Sequence, residues 1–198
     1  VARCLESVKW ADEIIVLDSG STDDTVEICK RYTEQVEITD WPGFGPQKNR
    51  ALDLANSDWV LSLDADERLT PDLRAEIQSV LMNPKAECYS IPRLSWYCGR
   101  FMRHSGWTPD YVDRLFKRGT ARFSKDLVHE RLIPKGLVLK LKNQMLHYSF
   151  MNQEQVKVGD VILLNSMFDL ERIATECKKS LHLSPAERSH FLKMRLAR

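Results

Sequence analysis

Short apolar runs alternating with helix-forming stretches constrain this chain more than any other feature. Residues 13–18 (EIIVLD), 35–38 and 59–63 (WVLSL) are rich in β-branched and aromatic side chains and too short for helices. They read as buried strands. Residues 3–9, 25–32, 47–55 and 71–81 carry apolar side chains at helical spacing around them. Thr70 stands as an N-cap before Pro71 at the first helical position. Strands and helices in this order predict an α/β sandwich built on a mostly parallel sheet. The chain opens inside a helix, so a further strand is expected before Val1 to complete the sheet.

In parallel sheets, ligands bind at the carboxyl ends of the strands. Two acidic turns fall at such ends, Asp18-Ser19-Gly20-Ser21 and Asp64-Ala65-Asp66-Glu67. They are expected on one edge of the sheet. The net charge of +1 hides an uneven spread. Residues 1–90 hold 9 Lys and Arg against 18 Asp and Glu, whereas residues 91–142 hold 12 against 4. An acidic half beside a basic one fits metal chemistry on one side and a polyanionic substrate on the other, or two solvated faces of opposite sign. The five cysteines show no C-x-x-C spacing, which speaks against a zinc site or a disulfide framework. No run approaches the ~18 apolar residues of a membrane span, and no signal peptide is expected.

Beyond Pro84 the texture changes. Residues 88–94, 115–117, 137–141 and 145–148 read as strands, with Trp96, Tyr97, Trp107 and Tyr111 in the loops between them. Those aromatics suit sugar stacking or core packing. Residues 153–179 and a basic segment from Ser184 read as helices. Two parts are therefore expected, a nucleotide-binding domain over residues 1–150 and a helical extension over 151–198.

Asp64-Ala65-Asp66 carries the chemistry most directly. Two carboxylates at i and i+2, at the end of an apolar strand, can lean into one cleft and share Mg²⁺ or Mn²⁺ with phosphates and water. Such a cation stabilises a diphosphate leaving group. A solvated turn with helix-capping acids is the plainer reading. Asp18, at the end of the first strand, can hydrogen-bond a base or ribose, or simply cap the next helix. In Gln47-Lys48-Asn49-Arg50, Lys48 and Arg50 can bind diphosphate oxygens or lie on a solvated helix face.

Three segments, VLDSGSTDDTVEI, GPQKNRAL and WVLSLDADERL, resemble the inverting family 2 glycosyltransferases in order and spacing. GWTPDYVDRLFKR, DLVHERL and LHYSF narrow the resemblance to the branch with lipopolysaccharide inner-core β-glucosyltransferases, over residues 3–150. The resemblance implies a GT-A fold and inverting transfer of glucose from UDP-glucose to a sugar hydroxyl of a lipopolysaccharide core. It implies that Asp18 contacts the base, Lys48 the base and phosphates, and Asp64 the ribose and metal. Asp66 would coordinate the metal, and His147 would touch metal or diphosphate. His129-Glu130 stands where the family carries an acidic pair, which makes Glu130 the catalytic base. The implied partners are a nucleotide-sugar donor and a glycolipid acceptor, not nucleic acid. The implied location is the cytoplasm, with the basic regions turned toward the inner face of the membrane. A sugar nucleotidyltransferase and an inactive sugar-binding module are the competing readings. The segment after residue 100 speaks against the first, and intact Asp64, Asp66 and Glu130 speak against the second.

Overall fold

The structure is a computed structural model and describes residues 1–104, 106–126 and 130–150. The expected helical extension and His129 lie outside the described residues. The first half alternates as the sequence predicts. α1 (Ala2–Val8), β1 (Val16–Asp18), α2 (Thr25–Cys29), β2 (Val36–Ile38), α3 (Phe44–Leu54) and β3 (Trp59–Leu61) follow in turn. β4 (Glu67–Leu69) and α4 (Pro71–Met82) complete it. The second half is β5 (Cys88–Tyr97), β6 (Arg100–Phe101), β7 (Asp110–Lys117), β8 (Ala121–Phe123), β9 (Leu132–Pro134), β10 (Val138–Lys140) and β11 (Met145–Phe150).

Two differences from expectation have clear causes. The α/β architecture is as expected, but its sheet is mixed. β1 pairs with β2, and β10 and β11 pair with β5, in parallel. β3 and β5 pair antiparallel to β7, β6 antiparallel to β5, and β4 antiparallel to β11. A short connection returns a strand antiparallel, whereas a parallel neighbour needs a long crossover. Cys98 (φ 43) and Gly99 (φ 97), for example, turn β5 straight back into β6. The second difference is β4. The acidic turn does not end in a loop, because Glu67 already pairs with His147 of β11.

The core has two parts. Leu73 and Ile77 of α4 pack with Ile91, Leu115 and Met145 of the sheet, all essentially fully buried. Cys88, Phe116, Phe123 and Leu132 form a second cluster with Leu52 of α3. Each fully buried side chain of this size contributes about 1.5–3 kcal/mol. Cys4, Cys29, Cys88 and Cys98 are all free thiols. Thr70 caps α4 as expected, its Oγ1 accepting the Leu73 N–H at 3.1 Å. Thr70→Ala should therefore cost about 1 kcal/mol, read as a lower urea midpoint. An unchanged midpoint would contradict the cap.

β1 and β3 do not pair with each other. The Glu13 carboxylate, just before β1, accepts hydrogen bonds from the backbone of Asn56 and Ser57, just before β3. At the other end, Gln47 of α3 donates to Ser19 and its neighbour Lys48 reaches Asp64. The two strands thus run the same way and bring both acidic turns to one edge. Between them lies a cavity of about 1540 Å³. Ile14, Val16, Leu17, Val60, Leu61 and Leu115 are part of its apolar lining.

Candidate active site

α3 gathers the site. Gly43 (φ 105) precedes the helix in a conformation that favours glycine. A Cβ on Gly45 would collide with the Ser124 carbonyl, so this helix end packs directly on the backbone that leads to Glu130. The Asn49 side chain fixes the approach, donating to Phe123 O at 2.9 Å and accepting from Phe123 N at 3.0 Å. One turn in, Lys48 projects from the same helix. Its Nζ lies 2.8 Å from Asp64 Oδ1 and 2.7 Å from Glu130 Oε1. One ammonium thus bridges two of the expected site carboxylates.

The other oxygen of Asp64 meets Arg114 of β7 at 2.5 Å. Arg114 also reaches Glu67 Oε1 at 2.7 Å, and Glu67 Oε2 accepts the Asp64 backbone N–H at 2.9 Å. Burial alone would push the Asp64 carboxyl up, but Arg114 and Lys48 outweigh it and hold it at about 2. Burial dominates at Glu67 and raises its carboxyl, only partly offset by Arg114. Both carboxylates raise the Arg114 guanidinium despite its burial. Arg93 of β5 stands 3.7 Å from Glu67 and 2.7 Å from Asp110.

Asp66 sits on the open side of this cluster, 43% exposed, with His147 Nε2 3.3 Å from its carboxylate. Ser95 Oγ lies 3.1 Å from the other ring nitrogen of His147. The Tyr148 N–H donates to Asp66 O at 2.9 Å, which ties the turn to β11. Asp66 and His147 thus offer one oxygen and one nitrogen donor side by side. That set fits a hard cation that takes its remaining ligands from phosphates and water. Both oxygens of Asp64 are held by cationic side chains. No group of three or more His, Cys, Asp or Glu arranged to hold a metal occurs among the described residues.

Asp18 stands apart. It is buried, and its carboxylate accepts from Gly20 N (2.9 Å), Ser21 N (2.7 Å) and Ser21 Oγ (2.6 Å). Burial raises its carboxyl, and these hydrogen bonds more than reverse that. Asp18 therefore shapes the Ser19-Gly20-Ser21 turn. It joins the rest through Ser19, which accepts from the buried Gln47 at 3.2 Å. The structure thus links Lys48, Asp64 and Glu130 directly. Asp66 and His147 form an adjacent pair, and Asp18 sits behind its turn.

Arg114, Glu67, Arg93 and Gln47 are not singled out by the sequence. In the structure Asp110 pairs with Arg93 and Asp113 accepts from Ser90 Oγ at 2.5 Å. β7 is bulged here, with Leu115 opposite Tyr89 and Asp113 opposite Ser90, and the extra residue Arg114 turns to Asp64 and Glu67 while Asp113 turns to Ser90. Arg50, the second basic residue of its motif, pairs with Asp40 at 2.7 Å on the surface.

The chain is similar to known proteins in sequence and in fold. A glycosyltransferase of Rickettsia typhi is 30% identical over 201 residues, covering 89% of this chain and 68% of its own. The lipopolysaccharide core biosynthesis glycosyltransferase LpsC of Rhizobium meliloti is 30% identical, over 75% of this chain and 58% of its own length. The chain thus spans little more than half to two thirds of these relatives. In fold, it resembles S. aureus TarS in complex with UDP-GlcNAc, with a TM-score of 0.52 and 16% identity. That match covers 85% of this chain and 64% of TarS residues 1–349. The family model of glycosyl transferase family 2 matches residues 1–139, the span that carries Lys48, Asp64, Asp66 and Glu130, and this chain belongs to that family.

Proposed function

We propose that the chain transfers a hexose, glucose from UDP-glucose, with inversion, to a hydroxyl of a lipopolysaccharide core or related glycolipid. The observation that carries this is the Lys48 bridge between Asp64 and Glu130, with Asp66 and His147 alongside at the strand ends. The names of LpsC and of the UDP-GlcNAc complex of TarS support the acceptor and donor classes.

The reaction is a single displacement. The acceptor oxygen bonds to the anomeric carbon, the bond from that carbon to the diphosphate breaks, and the electron pair leaves on the diphosphate. Lys48 supplies positive charge to the diphosphate. In doing so it leaves Glu130, which becomes free to take the acceptor proton. Asp66 and His147, with Asp64, would hold Mg²⁺ or Mn²⁺, which supplies charge neutralisation for the leaving diphosphate. Arg114 and Glu67 keep the Asp64 end of the turn in place. Asp18 holds the turn that meets the base.

Among the described residues no helix is long and apolar enough to cross a membrane. The working location in this reading is the cytoplasm, with peripheral contact at the inner membrane face. Incubation of the protein with Mn²⁺ and a panel of sugar nucleotides tests the donor. UDP-glucose should be consumed ahead of UDP-galactose, UDP-GlcNAc and GDP-mannose. Preferential use of another donor would overturn the glucose assignment.

A further inference from the structure

Four aromatic side chains in the second half are candidates for touching sugar, and the structure separates them. Trp96 packs edge-on against Phe101 at 4.9 Å and beside Tyr148 at 5.9 Å. Tyr111 lies on the surface with Lys140 4.3 Å above its ring. Trp107, unlike Trp96, Tyr97 and Tyr111, lines the cavity that Asp64, Asp66 and His147 also line. Tyr97 backs it, with ring centroids 5.5 Å apart. The loop that carries Trp107 is pinned on both sides. Its N–H donates to His104 O at 3.3 Å, and Thr108 Oγ1 donates to Met102 O at 2.8 Å.

β5 sets the distance from Trp107 to the chemistry. Arg93, Ser95 and Tyr97 are alternate residues and share one face of the strand. Arg93 holds Asp110, Ser95 holds His147 and through it Asp66, and Tyr97 holds Trp107. Successive members of this row are two residues, about 7 Å, apart along the strand. The side chain that backs Trp107 is therefore the next on this face of β5 after the one that holds His147, and Trp107, Asp66 and His147 line one cavity. The Arg93–Asp110 pair lines the same cavity, and both partners remain partly exposed. An aromatic face beside a carboxylate and a guanidinium is the chemistry that recognises a pyranose. Its C–H face stacks on the ring, and its hydroxyls hydrogen-bond the charged groups.

We infer that Trp107, backed by Tyr97 and flanked by Arg93 and Asp110, is the stacking platform for a pyranose ring in this site. The inference rests on the glycosyltransferase reading and adds to it a residue that grips sugar. The ring belongs either to the donor hexose or to the acceptor glycan, and the two sources are separable.

The test compares Trp107→Ala and Trp107→Leu with the wild type. Calorimetry with UDP and with UDP-glucose is set beside the KM for a deacylated lipopolysaccharide core oligosaccharide. UDP affinity should stay within about twofold in both variants. Loss of the ring should weaken sugar binding by about threefold to tenfold, the range of an aromatic contact. A donor platform shows this as a loss of UDP-glucose affinity relative to UDP. An acceptor platform shows it as a raised oligosaccharide KM with unchanged UDP-glucose affinity. Leu keeps apolar bulk without an aromatic face, so Trp107→Leu should behave like Trp107→Ala. If Trp107→Leu matches the wild type in both measurements, the indole only packs and the inference is overturned. Failure of the underlying reading looks different, because the wild type then binds no UDP at all.

Discussion

Asp66→Ala should abolish Mn²⁺-dependent transfer and leave the fold intact. Asp66 is 43% exposed, and its carboxylate pairs with His147 among the described residues. Its backbone carbonyl, which accepts the Tyr148 N–H, survives the substitution. Surface changes of this kind usually stay within about 0.5 kcal/mol, so the urea midpoint should hardly move. The loss falls on the reaction, because Asp66 is the one carboxylate of the pair not already neutralised by Lys or Arg. Asp64→Ala should behave differently. It removes the partner of both Lys48 and Arg114 and leaves Arg114 with Glu67 alone. Asp64 is itself 37% exposed, so the cost stays below the about 3–5 kcal/mol of a fully buried pair broken from one side. Part of that is spared here because Glu67 remains, but a lower midpoint is expected along with weaker nucleotide binding. Near-normal turnover of Asp66→Ala would remove the metal from the account.

Glu130→Gln should keep UDP-sugar affinity and lose about 10²-fold or more in kcat, within the ~10²–10⁴ that a positioned base contributes. An inverting displacement needs one carboxylate to take the acceptor proton from the side opposite the diphosphate. Asp64 and Asp66 serve the diphosphate, so the base is sought among Asp110, Asp113, Asp126 and Glu130. The structure gives three of these other partners. Asp113 accepts from Ser90, Asp126 from Ser124, and Asp110 is held by Arg93. Among the described residues Glu130 is held by Lys48, the side chain that a diphosphate would draw away. Gln keeps the shape and the link to Lys48 but cannot take a proton, so kcat should fall at every pH from about 6 to 9. If Asp110→Asn shows this pattern and Glu130→Gln is nearly wild type, the base lies on β7 instead.

The sequence carried the strand-end carboxylates well, for a physical reason. Apolar strand and acidic turn are adjacent in the chain, so WVLSL followed by Asp64-Ala65-Asp66 is visible without tertiary knowledge. Lys48 was legible because it sits on a helix that follows a Gly-Pro loop. Arg114 and Glu67 were not. Glu67 looks like one more solvated acid until β4 pairs with β11 and buries it completely. Arg114 needs the register of β7 against β5 to turn it inward beneath Asp64. The mixed sheet is not legible for the same reason, since β3 pairs with β7 and β4 with β11 across long stretches of chain. Asp18 shows the opposite case. Its position at a strand end was plain, but its carboxylate is committed to its own turn, which only the hydrogen bonds reveal.

UDP binding by calorimetry, with and without Mn²⁺, tests the central claim most directly. Wild type and Glu130→Gln should bind UDP equally and more tightly with Mn²⁺ than without, while Asp66→Ala should lose the Mn²⁺-dependent gain. UDP that fails to bind, or binds identically to all three proteins with and without Mn²⁺, would contradict a diphosphate site at Lys48, Asp64 and Asp66.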